Sequence, residues 1–232
     1  MRCVPGPLCA VLVAASFLAA RPPVPRVLMI GNSLTGANDL PGMVERLASL
    51  NGTPVRTRAV AAPGFSLEDH WGSGQARPLI RSGGWSAVVL QQGPSALPES
   101  RVVLRRYTQL FAEEIRASGS KPALYMVWPS KTRTADFASV SESYRLAAAD
   151  VEGLLLPAGD AWREAWTRDP ALPLYSKDEF HPSPLGSYLA ALVIVETLTS
   201  RAPTRHLPVA QALDAKRLRI LQDSAHAALE RQ

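Results

Sequence analysis

A serine directly after an apolar strand, and a histidine preceded by an aspartate three residues earlier, are the residues of this chain that can do chemistry together. The serine is Ser33, in the run Arg26 to Thr35, RVLMIGNSLT, where an apolar stretch stops at Gly31-Asn32-Ser33. The pair is Asp178 and His181, in the loop Leu174-Tyr175-Ser176-Lys177-Asp178-Glu179-Phe180-His181-Pro182-Ser183. A serine hydroxyl needs a base before it can attack a carbonyl carbon. A carboxylate that takes the Nδ1 proton of an imidazole fixes its tautomer and leaves Nε2 free to accept the serine proton. A separation of three places Asp178 and His181 on one face of a turn or helix start. The chemistry these types point to is nucleophilic attack by a serine that the histidine activates.

Each group also has an ordinary structural meaning. Gly, Asn and Ser are common in strand-to-helix turns, and Asp and His before Pro-Ser describe a capped helix start. The pairing separates the two meanings, because His70, His206 and His226 lack a carboxylate three residues upstream with an adjoining Pro-Ser.

Hydrophobic patterning says how these residues are held. The run from Arg26 has no alternation, the pattern of a strand buried on both faces. In an open α/β sheet ligands sit at the carboxyl ends of the strands, which is where Ser33 falls. Leu40, Met43, Val44, Leu47 and Leu50 then recur at helical spacing, with Pro41 in the first turn and Asn51-Gly52 as a stop. Further strands are predicted over Thr53 to Ala61, Ser86 to Leu90, Pro122 to Trp128 and Gly153 to Pro157. Ser73 to Gly84 reads as a loop with one helical piece around Ala76 to Ile80.

Ser100 to Ala117 is the clearest helix, with Val103, Leu104, Tyr107, Leu110, Phe111 and Ile115 on one stripe. Others are predicted over Asp136 to Val151, after Asp160 as a cap, over Pro184 to Ser200, and from Val209 to Leu229. There is no internal repeat. The alternation predicts a parallel sheet with helices on both faces.

A length of 232 residues suits one α/β domain. Arg2, the apolar stretch Leu8 to Leu18 and the small pair Ala19-Ala20 read as a signal peptide over residues 1–20. The alternative, an uncleaved membrane anchor, is opposed by the shortness of the stretch. Residues 21–25 hold three prolines and form a stiff linker, and 26–232 is the single folded domain. Cys3 and Cys9 both fall in the signal, so the mature chain has no disulfide, no thiolate nucleophile and no thiolate metal site.

Losing Arg2 with the signal takes the net charge from +5 to +4. The arginines are scattered without interleaved aromatics, which is not a nucleic-acid surface. A secreted or periplasmic monomer is expected, with no nucleic-acid partner and no stable membrane insertion after signal cleavage.

Gly31-Asn32-Ser33-Leu34 after a strand, and Asp178 to His181 followed by Pro182-Ser183, resemble the first and last blocks of the SGNH, or GDSL, esterase and lipase superfamily. Gly186-Ser187-Tyr188-Leu189-Ala190-Ala191 is similar to its closing helix. The resemblance spans nearly the whole mature chain. It implies a three-layer α/β/α sandwich with a five-stranded parallel sheet, flavodoxin-like, and a triad of Ser33, His181 and Asp178.

It also implies an oxyanion hole from the backbone amides of Ser33 and Gly64, the latter in Pro63-Gly64-Phe65-Ser66. Two departures stand out. Asn32 replaces the usual aspartate, and the family's Gly-x-Asn block is replaced by Gln91-Gln92-Gly93-Pro94-Ser95, in which Gln91 or Ser95 can supply the side-chain donor. Gly36-Ala37-Asn38-Asp39 matches that block literally but belongs to the Ser33 loop.

Asn32, Asn38 and Trp128 are expected to border the substrate, with Lys131, Arg133 and Tyr175 near it. The implied activity is hydrolysis of carboxylic esters through an acyl-enzyme, with no cofactor or metal. The absence of a long apolar lid, and an expected pocket rim that is polar with scattered aromatics, lean toward short acyl groups, such as acetyl esters on carbohydrate or small molecules. Two rivals are a non-catalytic glycan-binding domain with a degraded oxyanion hole and a metal-dependent phosphoester hydrolase. Asp39, Asp178 and His181 are too few for the second.

Overall fold

In the computed structural model, which describes Met1 and residues 23–231, the elements alternate as the apolar runs do. In order they are β1 (Arg26–Gly31), α1 (Ser33–Gly36), α2 (Leu40–Leu50), β2 (Arg56–Ala61), α3 (Leu67–Ser73), α4 (Ala76–Arg81), β3 (Ala87–Leu90) and α5 (Pro98–Ala117). Then follow β4 (Lys121–Tyr125), α6 (Phe137–Asp150), β5 (Leu154–Leu156), α7 (Ala158–Arg168), α8 (Pro184–Thr199), α9 (Pro208–Gln211) and α10 (Ala215–Glu230). Apart from Met1, the expected signal peptide with Cys3 and Cys9 lies outside the described residues.

The five strands form one sheet in the order β2-β1-β3-β4-β5, every neighbouring pair parallel. β1 and β3 lie at its centre, and all of their residues but Arg26 are buried. The edges are blunted in different ways. β2 carries exposed Arg56 and Arg58, and β5 has only three residues. The helices fall into two packed groups, α2 with α7, α8 and α10 on one face and α3 to α6 on the other, the division that the usual right-handed crossover gives for this strand order. This is the three-layer α/β/α sandwich. The chain leaves β1 in one direction along the sheet and β3 in the other, so the crevice for a ligand opens between their carboxyl ends.

Several elements differ from the sequence reading. β2 starts at Arg56 rather than Thr53, and α3 occupies residues the pattern left unassigned, started by a Ser66–Asp69 capping box. The last helix is two, α9 and α10, because Asp214 caps a new start by accepting from Arg217 N. Leu50 is 37 % exposed and outside the core.

Asp160 does not cap α7. It sits in the first turn, accepting from Ser141 Oγ at 3.0 Å and Arg145 at 2.8 Å, and so ties α7 to α6. Trp128 is fully buried, stacked on Trp162 with ring centroids 3.6 Å apart, so it packs the core and does not line a substrate subsite.

Candidate active site

β1 delivers Asn32 and Ser33 to the crevice, and α1 begins at once because the Asn32 side chain caps it, Oδ1 accepting from Leu34 N at 3.0 Å. The other groups come from the far end of the chain. Ser176 N donates to His181 O and Ser183 N to Leu174 O, both at 2.8 Å, closing residues 174–183 into a small hairpin. Lys131 N holds Glu179 O at 2.8 Å, and buried Trp128 donates from its indole to Phe180 O at 3.2 Å. Trp128 therefore serves the site from below, by fixing the residue before His181.

The hairpin brings His181 Nε2 to 2.9 Å from Ser33 Oγ, and Asp178 Oδ2 to 2.6 Å from His181 Nδ1. The other Asp178 oxygen accepts from Ser176 Oγ, Phe180 N and His181 N at 2.7, 3.0 and 2.9 Å. These donors, the Ser176 hydroxyl first, hold the carboxyl well below the usual carboxylate range. Asp178 is therefore an anion at neutral pH and takes the Nδ1 proton, and the tautomer assigned from this network leaves Nε2 as an acceptor facing the Ser33 hydroxyl. Such an arrangement can withdraw the serine proton during attack.

Negative charge on a tetrahedral adduct at Ser33 would need donors close by. Among the described residues the amides of Ser33, Gly64 and Gly93 have no partner, and all three line one cleft. Gly64 adopts φ 76°, in the left-handed region that favours glycine, and nothing lies within 4 Å of where a Cβ would stand.

The two expected side-chain donors are already engaged. Gln91 is fully buried, its Oε1 accepting from Asn32 N at 2.9 Å and Thr35 Oγ1 at 2.7 Å, its Nε2 donating to Asn32 Oδ1 at 3.0 Å and to Gln92 O. Ser95 Oγ donates to Gly93 O and accepts from Gln92 Nε2. Neither side chain is free to serve an oxyanion.

Asn32 and Asn38 border Ser33, but their amides also have structural partners. Asn38 Nδ2 donates to Pro182 O and Ser187 Oγ, clamping the Ser33 loop to the His181 hairpin. Asn32 Nδ2 donates to Phe65 O at 3.2 Å, so one side chain caps α1 and fixes the spacing between the Ser33 and Gly64 loops. A carboxylate could not donate there, which gives the asparagine a reason. Arg133 lines the cleft but is paired with Asp136, whereas Lys131 and Tyr175 face away from it, toward a separate pocket.

Sequence reasoning gave no role to Thr35 or His70. Only tertiary distances show them, since Thr35 bonds Gln91 and His70, 1 % exposed, makes a 2.7 Å hydrogen bond to Gly31 O from α3. Burial lowers the His70 pKa, so it is neutral in the fold under conditions where the unfolded chain, titrating near pH 6.5, already takes up a proton. The unfolded state then binds more protons, and this contribution to stability is lost as pH falls below about 6.5. His226 carries the opposite sign, because hydrogen bonding to Glu196 raises its pKa. The expected result is that His70→Gln has a shallower fall in melting temperature between pH 7.5 and 5 than the parent. Equal slopes would show that His70 does not carry the effect.

No model of a protein family matches the chain, and no curated protein matches it. Solved structures do. A protein from Slackia heliotrinireducens assigned as an SGNH hydrolase is 31% identical, with a TM-score of 0.65, over 76% of this chain and 100% of that one. A DUF4886 family protein from Bacteroides uniformis is 19% identical, with a TM-score of 0.73, over 90% of this chain and 95% of its own. A lipase/acylhydrolase from Enterococcus faecalis is 17% identical, with a TM-score of 0.62, over 79% and 100%. The last two share the fold, and the first shares enough sequence across its whole length to show descent: the chain belongs to the SGNH, or GDSL, superfamily of ester hydrolases.

Proposed function

We propose that this protein is an exported serine hydrolase of carboxylic esters, acting on small molecules or carbohydrate through an acyl-enzyme. The observation that carries the reading is the relay of hydrogen bonds from Ser33 Oγ to His181 and on to Asp178, 2.9 and 2.6 Å long, beside unpaired backbone amides. Ser33 Oγ attacks the ester carbonyl carbon while His181 Nε2 takes its proton. The amides of Ser33 and Gly64, joined by that of Gly93, receive the oxyanion. His181 returns the proton to the departing alcohol oxygen, and water, activated by the same imidazole, releases the acid and frees Ser33. Asp178 keeps the imidazole oriented and balances its charge.

A second reading, a binding domain without turnover, draws on the engagement of Gln91 and Ser95, which leaves the oxyanion without a side-chain donor. One experiment separates the two. The protein lacking residues 1–20 is treated with a fluorophosphonate, digested and mapped by mass spectrometry. A phosphonyl adduct confined to Ser33, together with hydrolysis of p-nitrophenyl butyrate that the reagent abolishes, is the expected result. A folded protein with neither adduct nor turnover overturns the hydrolase and favours the binding domain. Export rests on residues 1–20 alone and is checked by the N-terminal sequence of protein recovered outside the cytoplasm.

A further inference from the structure

Ser33 stands on a ridge between two clefts, and Asn32 and Ser33 line both. The first, of about 550 Å³, has an apolar wall of Phe65, Pro94, Ala96, Leu97, Pro129 and Phe180. The second, of about 450 Å³, is bounded by small residues, Gly36, Ala37, Ala61 and Pro63, and by His181 with Pro182. An ester whose carbonyl carbon is held at Ser33 sends its acyl chain one way and its alcohol the other. The alcohol oxygen has to come within reach of His181 Nε2 to be protonated as it leaves. His181 lines the second cleft and Gly64 the first, so the alcohol belongs to the second and the acyl chain to the first.

Apart from the free amides of Ser33, Gly64 and Gly93 and the half-exposed Arg133 guanidinium, the side-chain hydroxyls that line the first cleft have partners in the protein. Ser66 Oγ bonds Asp69 at 2.7 Å, Ser100 Oγ bonds Leu97 O at 2.9 Å, Ser130 Oγ bonds Thr132 Oγ1 at 3.1 Å, and Arg133 pairs with Asp136. A sugar placed there would bury hydroxyls with few partners, whereas a hydrocarbon needs none. Leu97 is 50 % exposed at the mouth, an apolar side chain left uncovered where a chain would enter.

We propose that the cleft walled by Phe65, Leu97 and Phe180 binds the acyl group as a medium-length hydrocarbon chain, and that the cleft beside His181 holds the alcohol. This rests on the serine-hydrolase reading. It replaces the leaning toward acetyl groups, which came from the missing lid and an expected polar rim, because a lid governs access whereas the wall of this cleft, which governs acyl length, is largely apolar.

The test is a crossed series of esters. With p-nitrophenyl esters from acetate to octanoate, kcat/KM is expected to rise about threefold per added methylene before it levels off, somewhat under the gain for full burial. Leu97→Ser is expected to lower the octanoate-to-acetate ratio about tenfold, and Leu97→Met to keep it. Ala61→Phe, on the exposed end of β2, is expected to lower the ratio of bulky-alcohol to methyl esters of one acid, also about tenfold. Melting curves of each variant exclude misfolding as the cause.

A flat acyl series in an enzyme whose turnover depends on Ser33, or effects of the two positions exchanged between the series, overturns the assignment of the clefts and leaves the triad standing. No Ser33-dependent turnover with any ester overturns both.

Discussion

His181→Ala and Ser33→Ala are each expected to lower kcat for p-nitrophenyl butyrate by about 10⁴- to 10⁶-fold, and the double variant by no more than either alone. The reason for the shared floor is geometric. His181 acts through the Ser33 proton, the leaving oxygen and the water that attacks the acyl group carried on Ser33, so each of its roles needs Ser33 and removing either partner removes the whole function of the pair.

Asp178→Asn should cost less, about 10²- to 10³-fold. An amide can donate to Nδ1 and thereby favour the wrong tautomer, a change that costs about 10⁴ where the aspartate is buried. Here the Asp178 side chain is 52% exposed, and water can take over part of its role. Because its donors hold Asp178 ionised well into acid, protonation of this carboxylate does not account for any loss of activity near neutrality. Steady-state kinetics with matched melting curves check the ordering. A Ser33→Ala protein that keeps more than about a hundredth of the parent rate would remove Ser33 from the reaction.

Local signals carried the fold further than they carried the site. Unalternated apolar runs located β1, β3, β4 and β5 to within a few residues, because burial on both faces writes itself directly into composition. The chemistry-bearing types were equally readable, since a strand-end Ser33 and an Asp178–His181 pair are short motifs. Their surroundings were not. Trp128 follows a strand and looked like a rim residue, yet stacking on Trp162 in α7 took it into the core. Asp160 precedes Trp162 as a cap would, but Arg145 from α6 drew it into an ion pair instead. Gln91 looked like a free donor because the sequence shows its amide and not the four groups, from the Ser33 turn and its own strand end, that use that amide. These are all contacts between residues distant in the chain or specific to one side-chain direction, where pattern carries no information.

The largest consequence of those hidden contacts lies at Gln91. Gln91→Leu keeps the approximate volume and removes every polar partner, leaving Asn32 N–H and the Thr35 hydroxyl buried without an acceptor. Each orphaned group costs about 1–3 kcal/mol, so for the two a loss of stability of roughly 2–6 kcal/mol is expected. The effect on catalysis is separate. Asn32 N–H and Oδ1 are both held by Gln91, and Asn32 in turn holds Phe65 beside Gly64, so the side chain fixes the Ser33 and Gly64 amides relative to each other.

Gly31 belongs to the same arrangement. A Cβ there would lie 2.3 Å from Gln91 Oε1 and 2.3 Å from Thr35 Oγ1, so the glutamine crosses the strand end only because position 31 has no side chain. A displacement of about 1 Å in a reacting group can cost around 10²-fold. Gln91→Leu is therefore expected to lower kcat about 10- to 100-fold with KM changed less than about threefold. Gln91→Glu should fall between leucine and the parent, because it keeps the acceptor facing Asn32 N–H and Thr35 and loses the donor facing Asn32 Oδ1. Burial favours the neutral acid at that position, and the acid regains one donor, so the glutamate variant should recover relative to the parent as pH is lowered. A leucine variant that melts lower yet keeps its kcat would confine Gln91 to stability, whereas a fall in kcat that glutamate partly rescues makes it a positioning residue for the nucleophile turn.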